Sequence, residues 1–298
     1  EKQDAEFFQE ELVSDLAKKL NIPTPNYVII TIDKETLETF SALRWIYHFG
    51  EGKYFATEKI ENTENDLVKI FELATKFQEP YVITKWHNIF KSIINKEVIP
   101  YILCLDFLTM NFDRFTNSGN LLFQRKDNGK ILVSIDYGFC FFNPYWDYDA
   151  FQGPYTKAQL LQTNKLINPE IEAKRYAADT AQKYLIRSAT SVQKERWGYG
   201  IVFDSLQNEL SFKKENPFIH VIRDIESISD ETILNIIKEI PIEWTPGESI
   251  QREAYAGFLL RQRFLVRHII DYTASQNLFT NCTGGQLEWQ KERNTSSL

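Results

Sequence analysis

Sulfur is scarce in this 298-residue chain, which has one methionine and three cysteines, Cys104, Cys140 and Cys282. Three is an odd number, and no two of these thiols have the spacing of a metal clip. The pattern speaks against a disulfide framework and for reduced, structural thiols in a cytoplasmic protein. The histidines, His48, His87, His220 and His268, are scattered and form no Cys/His cluster, so a dedicated zinc site is not expected. An excess of positive charge is also missing: 34 basic residues face 41 acidic ones, for a net charge of −7. That balance removes an overall electrostatic footprint for nucleic acid or an anionic membrane surface. No stretch approaches the roughly 18 consecutive apolar residues of a membrane span. No basic-then-apolar leader opens the chain, and no internal repeat or low-complexity linker interrupts it. The first residue is Glu1 rather than Met, so an N-terminal piece is expected to be missing.

What is present is a globular composition, 43% hydrophobic, 14% aromatic and 25% charged. A chain of this size can bury a large core in one domain or two lobes. Asp4 is placed to cap a helix with apolar positions Phe8, Leu12, Leu16 and Leu20, which Pro23 and Pro25 end. YVIITI (27–32) reads as a strand. Helical spacing returns at 65–77 and 86–94, and Pro100 suits the first turn of a helix over 100–110. Asn128-Gly129 between NLLFQ and ILVSI signals a tight hairpin. Beyond Gly138 no further strand pair is expected. An aromatic, turn-rich loop (144–155) precedes helical patterns over 156–187, 230–240 and 249–275, and 281–298 reads as a loosely held tail. Trp86, His87 and Trp244 read as packing residues, and Arg261, Arg263 and Arg267 as solvated charges or ion pairs on one helix.

The chemistry-bearing stretch is NFDRFTNSGNLLF (111–123), whose polar groups sit between apolar runs and must find partners. Asp113, Asn120 and Asp136 stand in the order helix, irregular loop, hairpin, acidic turn, which is the order of parts in a kinase active site. Phosphoryl transfer asks the protein for a carboxylate that orients the nucleophile and for hard oxygen ligands to Mg²⁺. A hairpin brings its two ends together, so Asn120 at its start and Asp136 past its end can face one ion. Gly138 frees the backbone to turn immediately afterwards. Arg114 reads as a structural ion-pair partner. Taken singly, an Asp or Asn here is a turn or cap residue; the flanking runs and the IDYG after the hairpin favour the catalytic reading.

DRFTNSGNLLF followed by SIDYGFCFF resembles the HipA-like kinases, in particular the stand-alone bacterial branch. FFQEELVSDLAKKLNIPTP resembles that branch's early helix, and IKEIPIEW with AYAGFLLRQRFLVRHII resembles its C-terminal segment. The resemblance implies an α+β, two-lobed protein-kinase-like fold with a small α/β lobe, incomplete in this chain, and a mostly helical large lobe. Residues 1–60 would be the remainder of the small lobe and hinge. Residues 61–298 would be the large lobe, with catalytic loop 111–120 and metal-binding turn 136–138. It further implies ATP and Mg²⁺ as cofactors, Asp113 as the catalytic aspartate, and Asn120 and Asp136 as metal ligands. Glu10, ahead of Glu11, would be the small-lobe glutamate that pairs with the ATP-anchoring lysine. The implied acceptor is a Ser/Thr hydroxyl of a protein, with an antitoxin-like partner in a toxin–antitoxin or phage-related setting. No nucleic-acid or membrane contact is implied. Phe115 stands where the family has His or Thr, and Ser118 five residues after Asp113, with Asn117 just before it. The family spacing puts the anchoring lysine upstream of this chain. The alternatives are a pseudokinase binding module and a small-molecule or lipid-headgroup kinase.

Overall fold

The computed structural model describes residues 4–64, 70, 73, 80–146, 155–165, 171–190, 193–213, 215–283 and 287–289. Helix α1 (Glu6–Lys19) buries Phe8, Leu12, Val13 and Leu16, the three-to-four spacing of an amphipathic helix. Asp4 does not cap it. Ala5 is the N-cap residue, and Asp4 Oδ1 accepts from Trp146 N at 2.6 Å. The start of α1 lies under the segment around Pro144, whose carbonyl accepts from Ala5 N at 3.0 Å, and this tertiary contact takes the carboxylate.

Strand β1 (Tyr27–Ile32) forms as expected and pairs antiparallel with β2 (Gly52–Thr57). Two short helices, α2 (Lys34–Thr39) and α3 (Ser41–Trp45), connect them. The expected helix over 65–77 falls largely outside the described residues. Helix α4 (Pro80–Lys91) starts earlier than its pattern suggested and fully buries Trp86, whose indole donates to Ser205 Oγ at 2.7 Å.

Helix α5 (Ile99–Thr109) is the centre of the molecule, hydrophobic all round and almost wholly buried. Such a helix must be covered on every side. It is packed by α11 (Glu248–Ser275), α9 (Ile219–Glu226) and α8 (Ile201–Gln207). Its chain leaves through Met110, a left-handed residue with φ 56°. The hairpin β3 (Leu121–Lys126) and β4 (Gly129–Ser134) follows, with Lys126 opposite Gly129. Its two-residue loop is therefore Asp127-Asn128, one position before the Asn-Gly pair singled out in the sequence.

Most of the aromatic loop 144–155 lies outside the described residues. Helices α6 (Lys157–Leu160) and α7 (Ile171–Tyr184) occupy part of the stretch expected to be helical. An antiparallel pair, β5 (Ile186–Thr190) and β6 (Gln193–Gly198), then corrects the expectation of no strands beyond Gly138. IRSAT and QKERWG lack the clean apolar/polar alternation that marks a strand, and the register shifts between Ser188 and Thr190. The short α8 and α9 were also absent from the sequence expectation, whereas α10 (Asp230–Glu239) and α11 match it. Arg263 pairs with Asp230, Arg267 makes a two-pronged pair with Glu226, and Arg261 donates to Asn164 Oδ1. Among its described residues the tail is tied down by Asn281 Nδ2, which donates to the carbonyls of Asn208 and Leu210, and by Trp289 Nε1, which donates to Asp271 Oδ1 at 2.8 Å. No described helix is long and apolar enough to cross a membrane, and all three cysteines are free.

Gly200, between β6 and α8, has φ 139° and ψ 169°, a region essentially closed to other residues. A Cβ there would stand 2.3 Å from the backbone oxygen of Phe115. Gly200→Ala is expected to cost about 1–3 kcal/mol from the backbone alone, with more from the clash. Denaturant unfolding of the two proteins measures it.

Candidate active site

The site begins with a charge in an apolar helix. Asp106 is 1% exposed on α5, and burial pushes its carboxyl up to about 6, with Arg114 pulling the other way. Its partner is that buried arginine, whose Nε donates to Asp106 Oδ1 at 2.9 Å. Arg114 Nη1 donates to the carbonyls of Asn120 and Ile135, the latter at 2.9 Å. The guanidinium also lies 5.2 Å from the centroid of the Tyr137 ring. One side chain thus ties together the core helix, the end of the loop and the exit of the hairpin. Arg114 is the structural ion-pair partner expected, and its carboxylate is Asp106. The signal was available, since Asp106 is the only ionic residue in α5.

The hairpin closes its own base. Ile135 N donates to Asn120 O at 3.2 Å, which sets Asn120 and Asp136 on the two sides of that closure. Asn120 is 1% exposed. Its Nδ2 donates to Asp113 Oδ2 at 2.7 Å, and its Oδ1 has no hydrogen-bond partner. Asn117 Nδ2 reaches the same Asp113 oxygen at 3.3 Å, while Asn117 Oδ1 accepts from Gly119 N at 2.9 Å. Both ends of Asn117 are therefore engaged within the loop, whereas Asn120 keeps an amide oxygen free. Ser118, at the family's asparagine position, is buried.

Asp136 is solvent-exposed and left-handed, with φ 60°. The protein crowding its carboxyl raises it by desolvation first, with Asp113's charge adding and Arg114's opposing. Glu10 Oε1 accepts from Tyr137 N and Gly138 N, both at 2.8 Å. Burial foremost, then the charge of Asp136, pushes Glu10 up to about 7, against those two amide bonds. Glu11 is buried on another face of α1, where burial and Asp15 raise it, so Glu10 is the glutamate at this site. Glu6, one turn before Glu10, is raised by burial and by Asp136, and was not anticipated. Gly138 is needed for the approach of α1, since a Cβ there would stand 2.7 Å from Glu6 Cγ. Tyr137 is buried and donates to Ser134 Oγ at 2.9 Å, anchoring the turn from below.

Phe115, the departure from the family pattern, is fully buried among Phe107, Phe112, Tyr199 and Phe203. It serves as packing for the loop and reaches no polar group at the site.

Two measurements check this geometry. Asp106→Ala leaves a buried guanidinium unpaired and is expected to cost about 3–5 kcal/mol in chemical unfolding. Asp113→Asn, at a half-buried loop carboxylate, should move stability far less. Glu10 holds its proton more tightly folded than unfolded, so its contribution to stability is largest at low pH and is lost as pH rises from about 4.5 to about 7. Glu10→Gln removes that titration while keeping an acceptor for the two amides. Thermal melts at pH 5 and pH 8 should show a smaller pH dependence for the variant than for the wild type.

Comparison with known proteins adds to this geometry. A family model described as HipA-like kinase matches residues 1–153. No curated protein matches the chain. Among solved structures, it is similar to the crystal structure of the Helicobacter pylori proinflammatory kinase CtkA, with 16% sequence identity and a TM-score of 0.47 over 90% of this chain and 82% of that one. The region matched by the family model is more than half of the 298 residues and holds α1, the loop of Asp113 and Asn120, the hairpin and Asp136. The chain belongs to the HipA-like kinase family.

Proposed function

We propose that this kinase uses ATP and Mg²⁺ to phosphorylate a serine or threonine hydroxyl of a protein. The observation that carries the reading is the orphaned, buried Oδ1 of Asn120, on the same closure as the carboxylate of Asp136. A buried acceptor left unpaired costs about 1–3 kcal/mol unless something comes to it. An amide oxygen and a carboxylate are hard donors of the kind Mg²⁺ takes. Among the described residues no group of three or more His, Cys, Asp or Glu could hold a metal alone. Two protein ligands sharing the ion with nucleotide phosphates suit that arrangement. When bound, the ion would neutralise the negative charge of the transferring phosphoryl group.

The remaining roles belong to the chain. Asp113 has one carboxylate oxygen fixed by Asn120 and Asn117, which leaves the other to accept the proton of the acceptor hydroxyl. Arg114 holds the backbones of Asn120 and Ile135, so both candidate ligands share one support. Glu10 holds the amides of Tyr137 and Gly138 and so keeps Asp136 in its left-handed turn. Within this reading residues 1–60 are the remainder of the small lobe and hinge, and 61–298 the large lobe.

Two variants test the assignment. Asp136→Asn is expected to lose most of the affinity for Mg²⁺–ATP in calorimetric titration; unchanged binding would remove Asp136 as a ligand. Asp113→Ala is expected to abolish phosphate transfer and leave Mg²⁺–ATP affinity within a few-fold, because its contact matters chiefly in the transition state. Labelled ATP with a cell lysate supplies the transfer assay. Wild-type protein that binds nucleotide but labels neither itself nor any lysate protein would be a binding module instead.

A further inference from the structure

One buried cation near the site has no part in the roles given above. Lys157 opens α6 and is 2% exposed. Its Nζ donates to the carbonyl oxygen of Asn143 and stands 5.8 Å from the centroid of the Tyr255 ring. The same carbonyl accepts from Gln9 Nε2 at 3.0 Å, and that nitrogen also donates to Gly138 O at 3.1 Å. Asn143 O is therefore a junction where α6, α1 and the segment leaving Asp136 meet. Just beyond it in the chain, Ala5 N donates to Pro144 O at 3.0 Å, and Trp146 N to Asp4 Oδ1 at 2.6 Å. The two amides on Glu10 lie at the other end of this seam.

A lysine is a costly choice for that place. Burial drives its amine well below the ordinary lysine range, with weaker opposing pulls from Cys140 and Asp4. A buried ammonium carries a desolvation cost that an apolar side chain of similar volume does not. An amine in that place, with its nitrogen on the carbonyl that also takes Gln9, is explained by what it positions.

We propose that Lys157 is a positioning residue for phosphoryl transfer, which fixes residues 138–146 against α1 through the Asn143 carbonyl and so keeps the turn of Asp136 on Glu10. The proposal rests on the kinase reading above.

The test uses the full chain carrying Lys157→Met. Hydrogen exchange over 137–146 should quicken at least tenfold while α11 is unchanged. Phosphate transfer should fall at least tenfold, with the thermal midpoint equal to or above that of the wild type. Gln9→Leu should act in the same direction, and the double variant should be no more than twofold worse than the poorer single one. Unchanged exchange over 137–146, or protection lost throughout the chain, overturns the proposal. Should Lys157→Met fail to fold, Lys157→Arg, which keeps a donor, must preserve both protection and transfer, and its failure to do so overturns the proposal equally. If the wild type transfers no phosphate, the kinase reading falls and the exchange measurement alone decides the role of Lys157.

Discussion

The buried guanidinium of Arg114 is the constraint on which the site depends. An arginine with no exposed surface must find partners in the protein, and this one places Nε on Asp106 and Nη1 on the carbonyls of Asn120 and Ile135, while Nη2 has no hydrogen-bond partner. The fork geometry fixes three backbone regions at once, which a lysine's point charge would not do. The core helix supplies the carboxylate, so the irregular loop and the hairpin are both referred to an almost wholly buried element. The loop's own turns, such as Asn117 N to Asp113 O at 2.8 Å, are thereby joined to the hairpin exit through one side chain.

A second set of contacts brings α1 to the same place from the other side. Glu10, Gln9, Ala5 and Asp4 follow the chain from Tyr137 to Trp146 in order, each taking or giving a backbone hydrogen bond. The absence of a side chain at Gly138 lets the helix come this close. Acidic groups gather as a consequence: Glu6 and Glu10 both feel Asp136, and Asp136 feels Asp113. Carboxylates packed together without a matching cation raise one another's proton affinity.

The aromatic content finds its use beneath the loop. Phe107, Phe112, Phe115, Tyr199 and Phe203 meet edge-on or tilted, and Phe112 stacks on Tyr184. Gly200 permits the close approach of this layer to the Phe115 backbone. The loop of Asp113 is thereby supported by rings below and by Arg114 alongside. A polar His or Thr at position 115 would face the same apolar layer, so the departure from the family pattern reads as a choice of packing.

Local chemistry alone determined a good part of this protein. The strand YVIITI, the proline-led helix at 99, the hairpin after Asn120 and the long final helix follow from periodicity, β-branching and turn residues acting over a few positions. The neighbourhood of Asp113, Asn120 and Asp136 was legible for the same reason, because a hairpin joins its ends whatever surrounds it. Tertiary structure decided the rest. Asp4 was free to cap α1 until the chain 142 residues later claimed its carboxylate. β5 and β6 carry no alternation, so their pairing is visible only in the folded chain. Which glutamate of α1 faces the site depended on the packing of that helix over Gly138. Arg114 could have taken the adjacent Asp113; it took Asp106, because a buried carboxylate has no water to fall back on and a loop carboxylate does.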